Sequence, residues 1–167
     1  DLALAHYKAA LERVPAYAHA AAHLARLSPP AQAIEVLVPL CAKSDDPELE
    51  GVLSDKLRES GDKAGADAHL ARAAARYAEL TARMPAAFAD HAAQFWLDTG
   101  NDPKKALELS RVNLAVRQTP KAYELALVAA IAAGDRQAAC ELGAAGLKVP
   151  RISSMFRGLA AGACDNH

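Results

Sequence analysis

Glycine and proline divide this 167-residue chain at regular intervals, and that punctuation limits what it can become. The breakers fall at Ser28-Pro29-Pro30, Ser44-Asp45-Asp46-Pro47, Gly61-Asp62, Pro85, Gly100-Asn101-Asp102-Pro103, Pro120, Gly134-Asp135 and Pro150. Glycine and proline end helices, and the Asp, Asn or Ser beside them caps the next one. Between the breakers apolar residues recur three and four apart, the spacing of one helix face. Leu49, Val52, Leu53 and Leu57 make one such stripe. Leu107, Leu109, Val112, Leu114 and Val116 make a broader one, which predicts a helix buried on two sides. No alternating segment is long enough to predict a strand. The pattern predicts an all-α chain of about ten helices joined by short turns.

Composition agrees. Alanine accounts for 42 residues, about a quarter of the chain, and aromatics for only 5%. Alanine loses no side-chain entropy in a helix, whereas a sheet protein draws on β-branched and aromatic residues. A net charge of −1 argues against a nucleic-acid binder, which concentrates positive charge against phosphates. The longest apolar run, Leu125 to Ala133, is too short to span a bilayer. The cysteines Cys41, Cys140 and Cys164 are odd in number, far apart and without a CxxC pair. They therefore predict neither a zinc framework nor a disulfide framework. Cys41 and Cys140 read as small buried apolar residues.

Short helical hairpins in series invite a search for a repeat. Ala3, Tyr7, Ala10 and Pro15 form a quartet whose offsets recur as Ala73, Tyr77, Leu80 and Pro85. Residues four and seven apart share a helix face. The small ones admit a neighbouring helix, the aromatic fills the remaining gap, and the proline closes the helix. This quartet resembles the second helix of a tetratricopeptide repeat, a helix-turn-helix unit of about 34 residues. Gly134-Asp135 and Gly61-Asp62 resemble the turn inside that unit. Equivalent small anchors fall at Ala3, Ala33, Ala66 or Ala73, Ala106 and Ala139.

The resemblance implies a right-handed α-solenoid of hairpins, with a non-repeating helical bundle as the alternative. Phase counted from the preceding repeat selects Ala66, and phase counted from the following one selects Ala73. Seven residues are two helical turns, so one overlong helix from Asp62 to Arg83 accommodates both. The pattern departs from the family after Ala106, where Ser110 and Asn113 occupy the slots, and after Ala139, where Gly143 and Gly146 do. Gly143 and Gly146 themselves read as points of close helix approach.

No catalytic constellation is expected. There is no GxSxG elbow, P-loop or GxGxxG, and no cysteine carries a recognisable histidine partner pattern. His19 and His23, one turn apart, could face one metal, but alanines replace the glutamate of HExxH and no third ligand lies nearby in sequence. No metal and no cofactor is therefore expected. Asp45 and Asp46 read as helix caps.

A binding surface is the positive expectation. In solenoids the first helix of each pair lines a concave groove that receives a peptide or a partner's helix. Registering first helices from the anchors places His19, Arg26, Asp55, Arg58, Phe88, His91, Phe95, Asp98, Lys121 and Glu124 on it. Phe88, His91 and Phe95 would form an aromatic stripe. The mixed charges offer no basic clamp for a terminal carboxylate, and the face is not basic enough for RNA.

The chain is thus expected to be a non-catalytic adaptor forming a single domain over 1–167, itself a fragment of a longer protein. The alternative is a structural module that docks on the rest of a larger polypeptide or self-associates. Leu2 to Arg13 motivates that alternative, because it lacks a preceding partner helix and would expose apolar surface, and a homodimer through terminal helices is one form of it. Residues 158–167 are expected to fray. The compartment stays open, with the cytoplasm favoured.

Overall fold

A computed structural model describes residues 2–164, and every regular element among them is an α-helix. In chain order these are α1 (Leu2–Arg13), α2 (Ala18–Arg26), α3 (Pro30–Cys41), α4 (Pro47–Ser60) and α5 (Lys63–Arg83). There follow α6 (Pro85–Leu97), α7 (Pro103–Val116), α8 (Pro120–Ala132), α9 (Arg136–Gly146) and α10 (Ser154–Ala163). The chain divides into two compact units, residues 1–79 and 80–167. The boundary falls inside α5, the overlong helix anticipated from the conflict of phase.

The punctuation acts as its chemistry requires. Five helices carry proline in their first turn, where the missing N–H costs nothing. Side chains of Asp46, Asp102, Thr119, Asp135 and Ser153 accept from backbone N–H groups of α4, α7, α8, α9 and α10 in turn. Gly61 and Gly134 take φ of +94° and +69°, so the two Gly-Asp turns use glycine's left-handed freedom.

In the first unit α2, α3 and α4 pack around Ala21, Ala22, Ala25, Ala33, Leu37, Leu49, Val52 and Leu53. The buried Ser54 hydroxyl donates to the Ala66 carbonyl at 2.8 Å, tying α4 to α5. Ala66, Ala73 and Tyr77 are all buried, so both repeat phases are used along α5. By contrast α1 buries no residue; its Ala3 anchor is exposed and Leu2 is 75% exposed.

In the second unit each helix packs on the next, and α6 also touches α8 as α8 touches α10. The same alternation links α2 to α4. Contact of successive helices, with alternate ones also touching at α2–α4, α6–α8 and α8–α10, is the stacking of a helical-hairpin array. The core here joins Ala106, Leu127, Ala130, Ala139, Ile152 and Phe156. Phe156 is fully buried over Gly146: a Cβ built there would lie 2.2 Å from the Phe156 Cζ. Gly143 faces Ala160, whose Cβ would be 3.2 Å away. The two glycines thus let α10 seat against α9.

Three expectations are corrected. Helix α7 buries Ala106, Leu107, Ser110 and Asn113, a single face, while Val112 and Val116 are exposed. Ser110 is tolerated there because its hydroxyl donates to the Ala106 carbonyl at 2.8 Å; Asn113 leaves its buried Oδ1 unpartnered. The stretch from Gly158, expected to fray, continues α10 to Ala163, because Phe156 and Ala160 are buried against α9; residues 165–167 lie outside the described residues. Finally, Cys140 and Cys164 are bonded as a disulfide that joins α9 to the C-cap of α10, leaving Cys41 free. Spacing alone hid this pair, because 24 residues of sequence separate two positions whose Cα atoms lie 4.7 Å apart.

Denatured, unreduced protein should therefore titrate with one thiol, and reduced protein with three. Reduction should lower the unfolding free energy by about 3 kcal/mol, read as a shift of the urea midpoint. Three thiols before reduction would refute the bridge.

Candidate functional site

The predicted groove residues divide between the two units. His19 and Arg26 lie exposed on α2, with Asp55 half-buried and Arg58 exposed on α4. In the second unit His91 and Asp98 are exposed at α6, Lys121 is exposed on α8, and Phe88 and Glu124 are half-buried. Because α6 packs against α8, their exposed polar residues belong to neighbouring first helices. Phe95 is the exception: it is only 6% exposed, with its ring edge-on to Trp96 at 5.1 Å. The expected aromatic stripe is therefore broken, since Phe95 is core and only Phe88 retains partial access. Trp96 instead carries the Lys105 ammonium 3.8 Å over its ring.

Several groove charges already have partners. Arg58 donates to Asp67 at 3.3 Å, and Asp98 accepts from the Gln94 amide at 2.7 Å. The denser polar geometry surrounds the first turn of α4. Pro47 starts that helix and Asp46 caps it, which fixes Glu48 and Glu50 in the first turn. Residues two apart point away from each other on a helix, and these two glutamates reach different neighbours.

Glu48 turns to α2. Its Oε1 accepts from Arg26 Nη1 at 2.7 Å, and its Oε2 lies 3.4 Å from His19 Nδ1. His23, one turn further along α2, meets His19 edge-on at 4.4 Å between ring centroids and stacks flat on Tyr7 of α1 at 5.1 Å. Burial alone would raise the Glu48 carboxyl, but the Arg26 hydrogen bond and charge, together with His19, hold it below the ordinary glutamate value.

Glu50 turns to α5. Its Oε2 lies 2.5 Å from His69 Nδ1 and 3.1 Å from Arg72 Nε, and Arg72 Nη2 is 2.6 Å from that same His69 nitrogen. Half-buried Cys41 of α3 completes this group. Its thiol is pushed up to about 12, first by burial and then by the charge of Glu50, so at neutral pH it is protonated and a poor nucleophile. A third ion-paired centre joins Arg76 to Asp45 and to Glu79. The sequence showed His19 and His23 as a pair; Glu48, Tyr7 and the whole Cys41–Glu50–His69 group are supplied by the packing of separate helices.

The depressed Glu48 carboxyl makes stability pH-dependent with a definite sign. A lowered folded pKa stabilises above the unfolded glutamate value of about 4.3, and that contribution is lost as pH falls through the folded value. Arg26→Met should therefore destabilise the protein at neutral pH, and the difference from wild type should shrink as unfolding is measured further below pH ~4.3. A difference independent of pH would show that Arg26 acts through packing alone.

No protein-family model matches this chain, and no curated protein matches it. Among solved structures it is similar to the crystal structure of MamA, at 20% sequence identity and a TM-score of 0.45, over 87% of this chain and 85% of that one.

Proposed function

We propose that this chain is a protein-interaction scaffold, without catalysis of its own, that binds a peptide or a partner helix on the face of its first helices. The observation that carries the reading is the side-by-side packing of first helices that keep polar residues outside the core. On α6 and α8 these are His91, Asp98, Lys121 and Glu124; on α2 and α4 they are His19, Arg26, Asp55 and Arg58. Charged and aromatic groups held on helices need no backbone ordering when a ligand arrives, which lowers the cost of recognition to that of fixing the side chains. The compartment, left open by the sequence with the cytoplasm slightly favoured, reads instead as an oxidising one on the support of the Cys140–Cys164 disulfide. No helix among the described residues is long and apolar enough to cross a membrane.

Peptides selected from a random library against the whole protein test the reading. Their affinity should fall at least about tenfold, roughly 1.4 kcal/mol, on Lys121→Glu. It should be unchanged by Glu108→Lys on α7. Equal sensitivity to both substitutions would remove the first-helix face as the binding surface.

A second reading, self-association, is favoured by α1, which buries none of its residues. Leu2→Glu would then turn a concentration-dependent dimer into a monomer in light scattering. A monomer at every concentration in the unaltered protein would eliminate it.

A further inference from the structure

The His19–His23–Glu48 group is the arrangement whose geometry goes furthest beyond an interaction scaffold. We propose that His19, His23 and Glu48 form a zinc-binding site that bridges α2 and α4. Two imidazoles and one carboxylate are a common zinc donor set, with a fourth position left for water or an incoming side chain. The ligand atoms of the three residues all lie within 4.8 Å of one another. A tetrahedral zinc with bonds near 2.1 Å sets its ligand atoms about 3.4 Å apart. His19 Nδ1 and Glu48 Oε2 are already 3.4 Å apart, long for a hydrogen bond between them but suited to a shared cation.

The surroundings prepare the ligands. Arg26 occupies Oε1 of Glu48 alone, so it orients the carboxylate and leaves Oε2 directed at the histidines. Tyr7 lies parallel to the His23 ring and restrains its orientation. His19 is exposed and His23 half-buried, so the group lies at the surface of the unit.

The Cys41–Glu50–His69 group also brings three donor types together but is less suited. There His69 Nδ1 and Glu50 Oε2 are 2.5 Å apart, closer than two ligands of one zinc. Arg72 contacts both and already supplies the balancing cation. Zinc at that place would have to separate the first pair and displace Arg72.

Isothermal titration of untagged, chelator-treated protein with zinc chloride tests the proposal. One zinc should bind per chain, and Glu48→Gln and His19→Gln should each weaken it at least about tenfold. Cys41→Ser should leave the affinity unchanged. Cobalt substituted for zinc should give the spectrum of a tetrahedral site without a sulfur-to-metal charge-transfer band. His19→Gln alters an exposed side chain, and circular dichroism of each variant separates loss of a ligand from loss of fold. Absence of one-to-one binding in the unaltered protein would overturn the site. So would binding that survives both Glu48→Gln and His19→Gln, or binding lost on Cys41→Ser with a sulfur charge-transfer band.

Discussion

Close approach of helices at small residues is the contact on which the rest of this structure depends. Ala33, Ala66, Ala73, Ala106 and Ala139 are buried at matching points of successive hairpins, and Gly143 and Gly146 extend the principle to α10. Each alanine removes little apolar area from water, so stability has to come from many short-range contacts rather than a few large ones. The large side chains fill what the close approach leaves open. Leu37, Leu49 and Leu53 do so in the first unit, and Leu127 and Phe156 in the second. Gly146 shows how little slack there is, because even one methyl at that position would enter the Phe156 ring.

A core made of alanine also decides where polar chemistry can stand. Helices that meet closely bring the flanking residues of neighbouring helices within reach of one another. The first turn of α4 shows the result: Glu48 meets the histidines and Arg26 of α2, and Glu50 meets His69 and Arg72 of α5. Neither set could assemble on one helix. The Cys140–Cys164 bridge follows the same logic at the end of the chain, where glycine contacts hold α9 and α10 close enough for sulfur to span them.

The proposed scaffold role and the proposed zinc site are compatible, since they rest mainly on different pairs of helices. Recognition of a partner, as proposed, would draw chiefly on exposed charge along α6 and α8, whereas the His19–His23–Glu48 group draws on convergence between α2 and α4. Phe95 marks the boundary between surface and core. It shares its helix with exposed His91, yet its burial and its ring contact with Trp96 make it structural.

Local chemistry in the sequence determined where helices start and stop, because proline, the Asp, Ser and Thr caps and left-handed glycine act within a few residues of themselves. It also determined the hairpin period, the anchor alanines from Ala33 onward and the unusual length of α5, since a periodic stripe and a seven-residue change of phase are visible in one dimension; the exposed Ala3 is the anchor it misplaced. Only tertiary structure decided which of several apolar stripes faced inward on α7, that Phe95 belonged to the core, and that Cys140 found Cys164. Those outcomes depend on which helix lies opposite, and a neighbour's identity is written in no single segment. The metal-competent group has the same origin: two of its members are one turn apart on α2, while the third comes from α4 and is placed by packing alone.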